Sequence, residues 1–578
     1  MARPSKKLPR TATHRPAVRR RRFRHDDYVA VDLFSGFGGL TEGIKRAGFT
    51  TIMAANHREY KVLVHEANHP EAEHWIADLV DPESSDYHDA RDLPAADLLV
   101  AGVSCVNHSL ANTVKAYEQG MTLFELEDPD FEARVTKSER DRATANCVLH
   151  YAQRHRPRMI LVECTTQLLS WGPALPDRPK VGDGSTYRWW LNQFDLINYN
   201  HKVLYLNSQF FGVGQSRDRG YWVFVDKSLP MPDLEHRPVS HCGRCDKDVE
   251  AVWTWKTGIP ATGTVMYGKQ YEYRCPSCRT QVVPPMTPSL AALDLSDLGI
   301  RIGDKPIKEF KDKKTGIVTK GPLAPASMAR AERCRQRFAE FPAVLMPAKS
   351  VHGSERLLLQ PMATQTSQQE TAILSTGPVV EPLWTQAPSQ SMAAAALAVA
   401  NYQGAPRGGH EPLPTQLASE TLAVVSSGVV PYRKNTVPTV HAEAMPTFTS
   451  EQIPGLLTAA GWYKQNGTSP DHGTAPHPVT DPLGTLTAHD TTALLMAQWR
   501  ATLAELPLED CYYRMLKAPE IGRGCGFDVT FNDYRGTFIV WGSARDQVDG
   551  FGNAVSPQVG TWIGTRLRAV LHRAEVAA

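Results

Sequence analysis

The 578-residue chain has no apolar run near the ~20 residues a membrane-crossing helix needs, so a helical membrane protein is excluded. The N-terminus lacks the apolar core of a secretory signal. Cysteine is sparse: ten residues, four of them in two Cys-x-x-Cys pairs, which is too few for a disulfide scaffold. These absences predict an intracellular protein with reduced thiols. Net charge is also nearly absent, at +2, but that sum hides an asymmetry. Residues 1–25 carry ten Lys or Arg and no acid, so the remainder is acidic by eight. Such an arm cannot bury a core, and residues 1–27 are expected to be disordered alone. The arm suits either a phosphate backbone, with counterion release, or a solubilising or targeting role.

What the chain does have is length, too much for one core, which predicts two to four domains. Residues 28–228 alternate apolar runs with helix-like stretches, the pattern of an α/β fold around a parallel sheet. The expected strands are YVAVDLF, FTTIMAA, DLLVAGV, RMILVEC, HKVLYLN and GYWVFVD. Between them lie amphipathic stretches such as LTEGIKRAGF and ATANCVLHYAQRHR. From about 229 the text turns to Pro, Gly and charge. HCGRC (241–245) and CPSC (275–278) fall here, with 29 residues between the pairs. Four thiolates in two knuckles fit tetrahedral structural zinc on Cys242, Cys245, Cys275 and Cys278. His241 reads as a surface neighbour; Cys147, Cys334, Cys511 and Cys525 read as buried or incidental thiols.

Residues 345–497 contain an internal repeat. The copies are QPMATQTSQQETAIL, EPLWTQAPSQSMAAAAL, EPLPTQLASETLAVV, EAMPTFTSEQIPGLL and DPLGTLTAHDTTALL. Each has Pro near a Thr (364, 385, 415, 447, 485), a polar bend, and then a short apolar strand. The intervening segments carry Tyr402, Tyr432, Arg433, Lys434, Trp462, Tyr463 and Lys464. Aromatics interleaved with cations suit a nucleic-acid surface, and a β-scaffold with solvated loops is the bland alternative.

The turn DLFSGFGGL (32–40) follows the first strand and opens a helix. Gly36, Gly38 and Gly39 there would let backbone amides approach a ligand, as in a nucleotide-binding βα turn. Asn56 stands after the second strand where an acid would hold ribose hydroxyls, and Asp78 could accept from an adenine amino group. Cys105 lies in DLLVAGVSCVNHSLAN, in a small, polar loop after a buried strand. It could be a nucleophile or an inert thiol.

Taken in order, DLFSGFGG, DLLVAGVSC, ILVEC, FGVGQSRDR, RMLKAPE and GNAVSP resemble the cytosine-C5 DNA methyltransferase family. The likeness covers residues 28–228 and about 508–575, roughly half the chain. It implies a Rossmann-like methyltransferase domain binding S-adenosylmethionine, with Cys105 as nucleophile. Thiolate addition at C6 would make C5 of a flipped cytosine nucleophilic. Glu163 would bind N3 and the amino group, Arg219 would face the ring oxygen, and Arg217 would support the cysteine loop. Phe34, Ser35, Gly36, Gly38, Gly39, Leu40, Asn56, Asp78, Leu79 and Gly102 would line the cofactor site, with Asn553 and Val555 returning beside the first motif.

This chain departs from the family at several positions. Pro-Cys-Gln is Ser104-Cys105-Val106, the Phe three residues on is His108, and Glu-Asn-Val is Glu163-Cys164-Thr165. A site acting on another base or transferring another group, and an inactive DNA-binding homologue, therefore stay open. The expected layout is a basic arm (1–27), a catalytic part (28–228), a zinc ribbon (229–300), a target-recognition region with the repeats (301–504) and the catalytic C-terminus (505–578). The expected partner is double-stranded DNA, bound by a monomer in a bacterial cytoplasm, at the nucleoid, or in the host cytoplasm if phage-encoded.

Overall fold

The computed structural model describes residues 12–18, 27–82, 84–103, 137–312, 316–348, 355–358, 360–376, 503–531 and 534–577, with short strands between 396 and 495. The chain divides into two compact units, 1–285 with 525–578, and 286–524. These limits differ from the boundaries at 300 and 504 expected from composition and from the resemblance. The reason is strand pairing: residues 300–301 and 512–515 join one sheet in the second unit.

In chain order the first unit contains β1 (Thr13–Arg15), β2 (Val29–Leu33), α1 (Gly39–Arg46), β3 (Thr50–Asn56), α2 (Glu59–Asn68), β4 (Glu73–Ile76) and β5 (Leu98–Gly102). Then come α3 (Lys137–His155), β6 (Met159–Cys164), a hairpin of β7 (Ala174–Leu175) and β8 (Arg178–Gly182), α4 (Ser185–Leu196), β9 (Tyr199–Asn207) and β10 (Asp218–Asp226). The main sheet has the order β1-β4-β3-β2-β5-β6-β10-β9. Strands β4, β3, β2, β5 and β6 are parallel neighbours. The all-parallel expectation needs correcting at both ends. β10 runs antiparallel to β6 and β9, and β1 runs antiparallel to β4. HKVLYLN and GYWVFVD are joined by a short connection, which permits antiparallel pairing without a crossover helix.

Both faces of the sheet are covered, which is why its strands read as continuous apolar runs rather than alternations. One face buries Val31, Leu33, Leu99, Ala101, Ile160 and Val162 against α3 and α4 residues, including Trp190 and Phe194. Phe194 stacks on Phe224 at 4.0 Å between ring centroids. The other face buries Ala30, Leu98, Val100, Leu161 and Val223 against Leu40 and Ile44 of α1. Val559, Ile563 and Leu567 of the C-terminal helix complete that layer.

The arm is not wholly without structure. Thr13–Arg15 adds an edge strand, and Arg15 Nε pairs with Glu66 Oε2 at 2.6 Å. A cationic segment finds an acidic helix beside an open sheet edge, which corrects the expectation of disorder for these residues.

The cysteine segment, also in the first unit, forms β11 (Val239–Cys242), β12 (Lys247–Glu250), β13 (Val252–Trp255), β14 (Tyr271–Arg274) and β15 (Gln281–Val282). They pair as a hairpin, β11-β12, and a three-stranded sheet, β13-β14-β15.

The second unit contains β16 (Ile300–Arg301), β17 (Lys308–Lys311), β18 (Val318–Gly321), α5 (Pro325–Arg337), β19 (Ala343–Pro347), β20 (Arg356–Leu357) and β21 (Thr371–Ser375). Next come β22 (Ala396–Val399), β23 (Leu422–Val425), β24 (Gly428–Pro431), β25 (Thr439–Val440), β26 (Pro454–Leu456), β27 (Gly461–Lys464), β28 (His477–Pro478), β29 (Thr492–Leu495), β30 (Tyr512–Met515) and α6 (Ala518–Gly524). The apolar tail of each repeat copy is a strand: β21, β22, β23, β26 and β29. Trp462, Tyr463 and Lys464, read as loop residues, lie in β27, which pairs with β28 and β29; the glycine before them opens an extended run. Tyr402, Tyr432, Arg433 and Lys434 lie outside the described residues. RMLKAPE belongs to this unit, where Arg514 Nη1 meets buried Glu520 Oε2 at 2.7 Å and Glu520 Oε1 accepts from Asp294 N at 2.7 Å.

The chain ends in the first unit with α7 (Ala544–Asn553) and α8 (Pro557–Ala577). No helix among the described residues is long and apolar enough to cross a membrane.

Candidate functional site

In an open α/β sheet, ligands bind beyond the carboxyl ends of the parallel strands. Most of the residues singled out from sequence converge on that edge. Phe34 follows β2, Asn56 closes β3, Asp78 follows β4, Gly102 closes β5 and Glu163 is the penultimate residue of β6. Because β10 is reversed, its first residues lie at the same edge. They are Asp218 and Arg219, directly after Arg217.

The turn after β2 is unusually tight. Phe34 has φ 61°, a left-handed conformation that costs a non-glycine residue roughly 1–3 kcal/mol. Gly38, at φ 81°, precedes α1 and leaves the first amides of that helix without a side-chain cap. Glu42 in its first turn and Lys45 and Arg46 in its last complement the helix dipole. Gly39 is required by close approach: a β-carbon there would sit 2.0 Å from Val555 O. GNAVSP thus returns against the first motif, as the resemblance implied for Val555. Asn553 donates to Asp549 Oδ1 at 3.0 Å, and Asp549 Oδ2 takes ion pairs from Arg58 (2.9 Å) and Lys61 (3.0 Å).

These residues fit a small polar cofactor. Ser35 is buried, and its Oγ has no hydrogen-bond partner among the described residues. Asn56 Oδ1 accepts from Arg58 N at 3.0 Å, and Asp78 Oδ1 from Val80 N at 3.0 Å, so both side chains are held by their own turns. Leu40 and Leu79 are buried beneath. A β-carbon on Gly102 would lie 3.8 Å from Phe34 O, so this wall also stays low.

Under the turn runs a chain of buried polar groups that sequence reading missed. Thr41 Oγ1 donates to Asp32 Oδ2 at 2.6 Å, which commits the hydroxyl proton. His65 Nε2 lies 3.0 Å from that hydroxyl, and His65 Nδ1 lies 2.7 Å from His74 Nε2, both at hydrogen-bond distance. Burial pushes the Asp32 carboxyl up to about 7. The same desolvation lowers all three buried imidazoles, His69 to about 3 and His74 to about 4. The only sequence signal was an aspartate inside an apolar strand, VAVDLF.

At the other side of the edge, Arg219 Nε lies 3.0 Å from Glu163 Oε1, with both side chains largely buried. The pair is electrostatic; Glu163 Oε1 has no well-aligned hydrogen bond among the described residues. Arg217 is buried and donates from Nη1 to Gly552 O at 2.8 Å, one residue before Asn553. Its backbone N–H donates to Asn207 Oδ1 at 3.1 Å. Cys105, with Ser104, Val106 and His108, lies outside the described residues. The last described residue before it is Val103, whose N–H donates to Glu163 O at 3.1 Å. Cys147, Cys334, Cys511 and Cys525 are buried, as read from sequence.

The four remaining cysteines come together as expected. The Cys242, Cys245, Cys275 and Cys278 Sγ atoms all lie within 4.8 Å of one another, with Cys242–Cys278 at 3.5 Å and Cys245–Cys275 at 3.9 Å. Zn–S bonds of ~2.3 Å place tetrahedral sulfurs about 3.8 Å apart, so the set fits zinc. The two knuckles share one backbone design. Asp246 N donates to Cys242 O (2.8 Å) and Arg279 N to Cys275 O (3.0 Å), and both donor residues are left-handed, at φ 51° and 60°. Hydrogen bonds from Thr280 lower the Cys278 thiol to about 6. His241 is exposed and turns to Asp248, 3.3 Å away.

Residues 28–127 match the model of the family described as C-5 cytosine-specific DNA methylase. Type II methyltransferase M.NgoBI of Neisseria gonorrhoeae is 26% identical over 229 residues, 39% of this chain and 60% of that protein. Type II methyltransferase M.HaeII of Haemophilus aegyptius is 25% identical over 223 residues, 37% of this chain and 57% of the other. The chain thus spans less than two thirds of the length of these relatives. Among solved structures, a putative DNA modification methyltransferase encoded within an Escherichia coli prophage is 17% identical, with a TM-score of 0.23 over 40% of this chain and 62% of that one.

Proposed function

We propose that this chain, whose residues 28–127 belong to the C-5 cytosine-specific DNA methylase family, methylates C5 of a cytosine flipped out of double-stranded DNA. The observation that carries this reading is the buried Glu163–Arg219 pair, with Val103, two residues before Cys105 in sequence, bonded to the Glu163 carbonyl. S-adenosylmethionine would supply the electrophilic methyl group. Phe34, Ser35, Gly36, Gly38, Gly39, Leu40, Asn56, Asp78, Leu79, Gly102, Asn553 and Val555 would hold it.

The Cys105 thiolate adds to C6, forming an S–C bond and moving electron density to C5. Glu163 steadies N3 and the amino group of the base while that charge develops. Arg219 faces the ring oxygen and keeps the carboxylate oriented. C5 gains the methyl group, whose bond to the donor's sulfonium sulfur would break and leave a neutral thioether; the C5 proton then leaves to a base and the C6–S bond breaks, restoring the ring and the thiolate. Arg217, through Gly552, ties this half of the site to the segment carrying Asn553. Zinc on the four cysteines is structural, because a closed thiolate set leaves no position for water. The repeat strands and the arm contribute DNA contact.

Nucleosides from duplex DNA incubated with the protein and S-adenosylmethionine should contain 5-methylcytosine by mass spectrometry. A different modified pyrimidine would replace the assigned reaction. DNA binding without any product, and no covalent complex with a 5-fluorocytosine duplex, would make the chain a binding protein.

A further inference from the structure

We infer that the four-cysteine module is a brace for the base-binding pair: zinc on its two knuckles would fix the insert 246–274 between them, and through that insert's bonds to Thr166 and Asp218 would govern turnover without touching the reacting atoms. This deepens the reading above and rests on Glu163 and Arg219 holding the base.

The 29-residue insert between the knuckles begins after Cys245 and ends before Cys275. Within it, residues 263–271 reach the turn that follows β6 and the first residue of β10, beside both members of the pair. Val265 N–H donates to Thr166 Oγ1 at 2.9 Å, and Gln167 Nε2 donates to Thr264 Oγ1 at 3.3 Å. Thr166 lies three residues after Glu163. On the other strand, Tyr267 N–H donates to Asp218 Oδ1 at 3.0 Å and Tyr271 O–H to the same oxygen at 3.3 Å. Asp218 is the residue between Arg217 and Arg219. One loop therefore clips the end of β6 to the start of β10, where Glu163 and Arg219 must stay in register.

The loop is in turn fixed by the knuckles. Tyr271 and Tyr273 are fully buried on β14, and two residues later the strand delivers Cys275. Tyr273 O–H is 2.7 Å from His236 Nδ1, and Phe210 packs edge-on against Tyr267 and Tyr273 at 4.7 and 5.3 Å. Trp253 Nε1–H donates to Tyr205 O on β9 at 3.1 Å. Four neighbouring thiols without a cation hold the two knuckles only weakly; a metal makes them one rigid unit. The turn at Gly38 and Gly39 is packed by His65, His69 and Val555 instead, so cofactor binding should be independent of the brace.

Purified full-length protein is expected to hold one zinc per chain by elemental analysis. After chelation, amide exchange should quicken in peptides covering 163–170 and 216–221 and stay unchanged in 29–46 and 552–567. No zinc, or unchanged exchange at 163–170 and 216–221, overturns the brace whether or not the protein methylates DNA. The kinetic arm uses Thr166→Val with Tyr271→Phe. This double variant should keep its zinc and bind S-adenosylmethionine within twofold, while kcat falls at least tenfold. Thr166→Ser in place of Thr166→Val should restore most of the loss. A kcat within twofold of the parent, with zinc retained, also overturns it. Absence of 5-methylcytosine with the exchange pattern intact instead removes the assigned reaction and leaves the brace standing.

Discussion

The eight-stranded sheet and the four-cysteine module lie in the same compact unit but are held in different ways. The sheet is buried on both faces, and its stability comes from apolar area: Trp190, Trp222, Phe194 and Phe224 are all fully enclosed. The module has short strands, a cluster of tyrosines and tryptophans, and four thiols within 4.8 Å. Residues of the sheet can be exchanged for others of similar volume at modest cost. Those of the module cannot, because sulfur is there for its bonding and not its size. Under the proposed function the candidate edge would take its cofactor turn from the first, and under the brace inference the alignment of Glu163 and Arg219 would come from both.

The comparison can be broken first at the chemistry. Cys105→Ser should reduce methyl transfer to background while DNA affinity, measured by anisotropy, stays within a fewfold; comparable product yield would displace the nucleophile. Within the sheet, Trp190→Ala should lose roughly 3–5 kcal/mol in urea unfolding, because its ring is fully buried and Nε1–H donates to Ala145 O at 2.9 Å. A loss below about 1 kcal/mol would mean that burial is not what holds this layer. Gly39→Ala should cost about 1–3 kcal/mol and weaken S-adenosylmethionine binding, since the added carbon meets Val555 O. Titration calorimetry showing parental affinity would separate that contact from the cofactor turn.

The last effect should appear in the pH dependence. Asp32 ionises less readily in the fold than in the unfolded chain, its carboxyl raised from 3.8 to about 7 by burial. The native state therefore holds an extra proton between about pH 4 and pH 7, and this group's contribution to stability falls as pH rises through that window. Asp32→Asn should remove that slope. An unchanged slope in denaturation measured from pH 4 to 7 would assign it to other groups.

The legible parts of the fold were those with a local cause. Apolar runs bounded by glycine and charge marked β2, β3, β5, β6, β9 and β10, because a doubly covered strand needs apolar side chains on both faces. The direction of β10 was not legible, since pairing direction depends on the connection and on which neighbour has an open edge. Glu163 and Arg219 could be named from motif order, but their 3.0 Å approach could not. Thr41, His65 and His74 carry no pattern at all; only the crossing of α1, α2 and β4 brings them together.

By itself, the sequence determined which residue types were available: a glycine-rich turn, four thiols in two pairs, and a carboxylate and two guanidiniums in ordered motifs. Covalent spacing alone dictates the knuckles and the tight turn, because both close within a few residues. Only the tertiary structure decided that Val555 closes on Gly39 from more than 500 residues away, and that one loop of the cysteine module bonds both Thr166 and Asp218. Such contacts depend on how the burial of distant apolar faces resolves, and no local pattern encodes that outcome.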